Sequence, residues 1–128
     1  MKKEFIPYEQ ALELKELGFN EPCLAVYFNP TQELYFNKYV NEFNEDVRTL
    51  SPLYQQAFRW FREKYDLQCW VEPTGSDRYS CRYDGNDKTG YRWVGYLRNI
   101  DNEILFYLTY EEAELACLKK LIEIVKNK

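Results

Sequence analysis

Four successive segments of this chain, Gln68–Glu72, Arg78–Asp84, Tyr91–Arg98 and Glu103–Leu108, alternate apolar and polar residues with a period of two. Alternation of that kind reads as half-buried strands rather than helix, because successive side chains of a strand point to opposite faces. The connections between them, around Thr74-Gly75-Ser76-Asp77, Gly85–Gly90 and Asp101-Asn102, are short and rich in turn formers. Parallel strands need a crossover of a dozen residues or more, so connections this short predict antiparallel neighbours in a meander.

Helical signals flank the meander. A helix over Pro7–Leu17 is predicted by a proline in the first turn, by Ala11, Leu14 and Leu17 at helical spacing, and by Gly18 at the capping position. Ser51-Pro52 reads as a helix start, with Leu53, Ala57, Trp60 and Phe61 along one stripe and an end near Asp66. Thr109-Tyr110-Glu111-Glu112 fits a capping box for a last helix that buries Leu115, Leu118, Leu121, Ile122 and Val125. Cys23–Asn29 and Leu34–Val40 read as two further strands, and Asn41–Leu50 as a polar, irregular connection containing the acidic residues Glu42, Glu45 and Asp46. The predicted architecture is a single α+β domain over residues 1–128: an antiparallel meander sheet of four or more strands with helices packed on one face.

Turn geometry then predicts faces. A two-residue loop at Asp101-Asn102 sets Leu97 opposite Phe106, and a fold about Gly75 sets Glu72 opposite Arg78. Trp93, Leu97, Ile104, Phe106, Leu108, Cys69, Val71, Tyr79, Cys81 and Tyr83 then share a helix-covered face. The other face displays Trp70, Arg82, Arg92, Tyr96 and Tyr107, with Arg82 opposite Arg92 and Tyr96 opposite Tyr107. These five are the candidate binding residues. Opposed arginines repel unless an anion or carboxylate lies between them. Three readings follow: a solvated face with arginines stacked on rings, a protein interface rich in aromatic anchors, or a small-ligand or nucleotide site.

Other chemistry is thin. The chain has no histidine, which removes imidazole bases, Ser-His-Asp and Cys-His pairs, and His-held metals. Lys88-Thr89 sits in a glycine-bounded loop, but the lysine precedes the second glycine and no helix follows, so it is no phosphate loop. Loop residues Asp77, Asp84 and Asp87 read as turn caps rather than a cation site. Cys23, Cys69, Cys81 and Cys117 form no Cys-x-x-Cys; with no export signal in the first residues, the expectation is four reduced thiols, at least three buried. No catalytic residue, metal or cofactor is assigned. The net charge of −4 argues against bulk capture of nucleic acid or an anionic membrane, and no run is long enough to span a bilayer.

Three stretches carry a resemblance: Tyr8-Glu9-Gln10-Ala11-Leu12-Glu13-Leu14-Lys15-Glu16-Leu17-Gly18-Phe19 with Glu21-Pro22-Cys23; Tyr54-Gln55-Gln56-Ala57-Phe58-Arg59-Trp60-Phe61-Arg62-Glu63-Lys64-Tyr65; and Tyr110-Glu111-Glu112-Ala113-Glu114 with Leu118-Lys119-Lys120-Leu121. Together they resemble an uncharacterised family of small proteins encoded by phages and prophages of Bacteroidetes-like bacteria. The resemblance implies a bacterial cytoplasmic setting and supplies no catalytic residues. The resulting expectation is a non-enzymatic phage or mobile-element accessory protein that binds a protein partner or itself as a homodimer. The alternative is a small-ligand or nucleotide-binding protein using the arginine–aromatic face.

Overall fold

The computed structural model describes residues 2–36, 44–75, 77–86 and 89–127. Residues 37–40 of the second expected strand, together with Glu42, Asp87 and Lys88, lie outside the described residues. The chain is α+β and divides into two compact units, Met1–Gln56 and Ala57–Lys128.

In the first unit, helix α1 (Tyr8–Glu16) starts after Pro7 and ends where Gly18, at φ 99°, takes the left-handed turn. Phe19 N–H then donates to the Leu14 carbonyl across that turn. Strands β1 (Ala25–Phe28), β2 (Glu33–Phe36) and β3 (Arg48–Ser51) form an antiparallel sheet in the order β2-β1-β3, and α1 packs against β3. Strand β3 corrects the reading of this stretch as irregular. It also corrects the role of Ser51, whose hydroxyl lies at a strand end and donates to the Ile6 carbonyl. Helix α2 (Tyr54–Tyr65) begins two residues beyond Pro52. Buried Ile6, Leu14, Phe19, Val26 and Tyr54 make this unit's core.

The second unit holds the rest of α2, strands β4 (Gln68–Thr74), β5 (Arg78–Asn86) and β6 (Arg92–Tyr96), and helix α3 (Tyr110–Lys126). The strands form an antiparallel meander in the order β4-β5-β6, and α3 packs against β4 and β5. Thr109 caps α3 as expected, its hydroxyl accepting from the Glu112 N–H at 3.1 Å. The sheet has three strands, not the four or more expected. The segment expected as a fourth makes only two isolated bridges, Arg98 with Ile104 and Tyr79 with Tyr107.

The face under α3 is built on complementary sizes. Gly95 lies opposite Tyr83 and Gly85 opposite Trp93. A Cβ on Gly95 would come within 2.9 Å of the Tyr83 ring, and one on Gly85 within 2.7 Å of Leu67 and 2.8 Å of Trp93. The glycines therefore leave room for two rings that meet edge-on at 5.7 Å.

Cys81 on β5 and Cys117 on α3 form a disulfide, with Cα atoms 5.6 Å apart and both residues fully buried. This corrects the expectation of four reduced thiols. Cys23 and Cys69 are free and half-buried, so two cysteines are buried rather than three. Burial drives the Cys23 thiol up to about 12 and pushes Cys69 well above the ordinary thiol range, leaving both unreactive near neutrality.

Candidate functional site

The face of β4-β5-β6 turned away from α3 centres on Arg82. Its guanidinium stacks over Trp70 at 4.8 Å and Tyr96 at 5.9 Å. It also pairs with Glu72 at 3.3 Å, and the Tyr96 hydroxyl donates to the second Glu72 oxygen at 2.8 Å. The strand register explains this grouping, since Trp70 and Tyr96 lie directly opposite Arg82 on its two neighbours. That hydrogen bond, more than burial, raises the Tyr96 phenol above its usual range. The result is a preorganised, internally neutralised aromatic–arginine cluster.

Arg92 is not part of it. Arg92 lies opposite Asn86 rather than Arg82, four residues along the β5 pairing from the expected place. Its guanidinium holds Asp84 at 2.7 Å and Asp66 at 3.7 Å, and Asn86 Nδ2 donates to Asp66. The expected opposition of two arginines is therefore corrected: each has its own carboxylate. Glu72 likewise faces Ser80 instead of Arg78. Both slips are even-numbered, which is why the residues stay on their expected face.

Tyr107 leaves the face altogether. The hairpin after β6 has a three-residue loop, Ile100-Asp101-Asn102, because Asn99 pairs with Glu103, Asn102 adopts φ 65°, and the Asn99 side chain accepts from the N–H groups of Asp101 and Glu103. One more loop residue than expected reverses the face of everything that follows. Tyr107 exchanges both backbone hydrogen bonds with Tyr79, at 2.7 and 2.9 Å, and so shares the face of Tyr79 and Cys81. Phe106 and Leu108 move the other way. Expected under the helix, they are 48% and 72% exposed, on the face of Ser80 and Arg78. Val94 on β6, opposite Asp84, is 51% exposed on the same face, and Ile100 at the hairpin tip is bare. The sequence reading missed this apolar flank, and the signal that could have found it was the Asn99 and Asn102 turn chemistry.

Three polar atoms on the same face, Thr74 Oγ1, Ser80 Oγ and Arg82 Nε, are buried without a hydrogen-bond partner. Among the described residues no cluster of His, Cys, Asp or Glu could hold a metal ion, and no helix is long and apolar enough to cross a membrane.

Beneath the opposite face, Glu114 of α3 has its carboxyl raised to about 7, first by burial and then by the charge of Glu111. Its own charge helps push up Cys69 and Tyr110. A carboxyl whose folded-state pKa lies above its unfolded value favours the protonated form, so stability falls as pH rises from about 4.5 through about 7. Discounted for the solvent contact Glu114 keeps, the loss should be on the order of 1 kcal/mol. Urea titrations at pH 5 and pH 8 should show that slope in the wild type. Glu114→Gln should flatten it.

A scan against protein-family models and searches among curated proteins and solved structures each find no match.

Proposed function

We propose that the chain is a non-enzymatic binding module that engages a protein partner, or a second copy of itself, through the Trp70–Arg82–Tyr96 face and its apolar flank. The observation that carries this reading is the company Arg82 keeps. With Glu72 bound to it and Asp84 bound to Arg92, neither of these two arginines is left as an unpaired charge for a nucleotide. The face offers instead rigid rings beside exposed Val94, Phe106 and Leu108, the mixture of aromatic anchors and apolar surface that protein interfaces use. The phage or mobile-element setting and the bacterial cytoplasm are part of the proposal and rest on the family resemblance. A reducing cytoplasm would hold Cys81 and Cys117 as adjacent buried thiols, so thiol counting on freshly lysed cells tests the compartment.

The interface test compares wild type with Trp70→Ala, Tyr96→Ala and Phe106→Ala in partner capture and in sedimentation, after equal thermal stability is confirmed. Each variant should weaken association by ~1 kcal/mol or more. Tyr107→Ala, on the opposite face, should not do so beyond its effect on folding. Association should depend weakly on salt; a steep salt dependence would transfer the face to an anionic ligand. Variants that associate as well as wild type would leave it as ordinary solvated surface.

A further inference from the structure

The two edges of the β4-β5-β6 sheet differ in what they offer a further strand. Tyr79 of β5 exchanges its backbone hydrogen bonds with Tyr107, on the side away from β4. Pro73 of β4 lies opposite Tyr79, so its nitrogen faces the open side of β4. A chain pairing there would meet a position with no N–H, which blunts that edge.

The β6 edge has no such guard. Leu97 N–H donates to the Cys81 carbonyl, and the register carries that parity back along the strand. Trp93 and Gly95 therefore bond to β5, while Arg92, Val94 and Tyr96 turn their N–H and C=O groups outward. Among the described residues no strand or bridge pairs with that outer side. Charged side chains commonly protect such an edge, but Arg92 is drawn back onto β5 by Asp84 at 2.7 Å. The middle of the strand is Val94, apolar and half exposed.

An open row of backbone donors and acceptors selects an extended strand, and β6 is complementary to itself. A two-fold axis at Val94 sets Val94 against the second copy's Val94 and Arg92 against the second copy's Tyr96, each pair exchanging both N–H···O bonds. The exposed valines cover each other and no like charges stand opposite. On the α3 side Trp93 faces the second copy's Gly95 rather than another ring. An axis at Arg92 would instead oppose two arginines.

We propose that β6 is a dimerisation strand: two copies pair antiparallel along Arg92–Tyr96 about a two-fold axis at Val94, joining their three-stranded sheets into one. This goes beyond the sheet-face reading and stands independently of it, since it leaves the Trp70–Arg82–Tyr96 face to a protein partner.

The test is sedimentation of the full-length protein over a concentration series, with amide hydrogen exchange at its two ends. Wild type should be a reversible dimer. Exchange at Arg92, Val94 and Tyr96 should be slow when concentrated and fast when dilute, while Trp93 and Gly95 stay protected throughout by β5. Val94→Pro, which removes the central N–H at an edge position where proline is tolerated, should weaken the dimer at least tenfold. Should that variant fail to fold, Val94→Lys, which opposes two ammonium groups on the axis, should weaken it as much. Trp70→Ala, two strands away, should leave the dimer unchanged. A monomeric wild type, or protection at the three outward amides that ignores concentration, would overturn the proposal. A dimer weakened by Trp70→Ala and indifferent to the Val94 variants would overturn it too, and would return self-association to the sheet face.

Discussion

Reducing the Cys81–Cys117 bond should lower the stability of the second unit by about 3–4 kcal/mol. The bond closes a loop with a sequence separation of 36 residues. Chain-entropy reasoning places a loop of that length between the roughly 3 kcal/mol of a 15-residue loop and the roughly 4.7 of a 100-residue one. Both cysteines are fully buried, and reduction asks only that the two sulfurs move apart to a non-bonded separation, a local adjustment beside the loop that the bond closes. The effect therefore falls on the unfolded chain, which regains freedom to separate strand from helix. All three tryptophans, Trp60, Trp70 and Trp93, lie in this unit, so fluorescence follows its unfolding directly. Urea titrations with and without dithiothreitol should differ in midpoint by the stated amount. Cys81→Ala/Cys117→Ala should track the reduced wild type, with a further small loss for the missing sulfur packing. A difference below about 1 kcal/mol between oxidised and reduced protein would mean that the unfolded chain is already compact across this loop.

That bond also shows where sequence reasoning runs out. Cys81 and Cys117 each sit in an apolar pattern and both are fully buried, although the sequence assigns only Cys81 to a helix-covered face. Nothing in either pattern says that the two positions meet, because a helix laid on a sheet chooses its contacts by packing across 36 residues. Local chemistry was more legible. The Thr109 cap, the Gly18 stop and the buried face of α3 through Leu118, Leu121 and Ile122 all follow from side chains within one or two turns. Strand parity was legible too, since Trp70, Glu72, Arg82 and Tyr96 share a face whether the register moves by two residues or by four. Register itself was not, because it depends on loop length. At Ile100-Asp101-Asn102 a single extra residue exchanged Tyr107 for Phe106 and Leu108. The short strand β3 was hidden for another reason: Arg48-Thr49-Leu50-Ser51 carries little apolar signal, and its Thr49 and Ser51 are buried by hydrogen bonding instead.

Trp60→Ala should be the most damaging single substitution in the part of α2 beyond Gln56, at about 3–5 kcal/mol for truncation of a large buried ring. Ala57, Trp60 and Phe61 recur at the spacing of one helix face, and Trp60 and Phe61 are 6% and 0% exposed. The Trp60 ring meets Phe61 edge-on at 5.1 Å and Tyr65 at 5.5 Å, so its loss also removes two aromatic contacts. Lys64 lies over the same ring at 5.0 Å, and that contact is a minor part, roughly 0.5–1 kcal/mol at a solvent-facing site. Lys64→Ala therefore separates cation–π attraction from burial, and Trp60→Phe should recover more than half of the Trp60→Ala loss. Denaturant titration that found Trp60→Ala within 1 kcal/mol of wild type would show the stripe able to collapse around the gap. The substitution should also interact with the disulfide. Domains hold only about 5–15 kcal/mol in all, so Trp60→Ala combined with reduction, a loss of about 6–9 kcal/mol, should remove much of the unit's stability and unfold it in buffer if that stability lies at the low end of the range. The double perturbation thus asks whether α2 beyond Gln56 and the α3–β5 clamp stabilise one cooperative core or two separate ones. A single shared transition, lost at once, is the expected result.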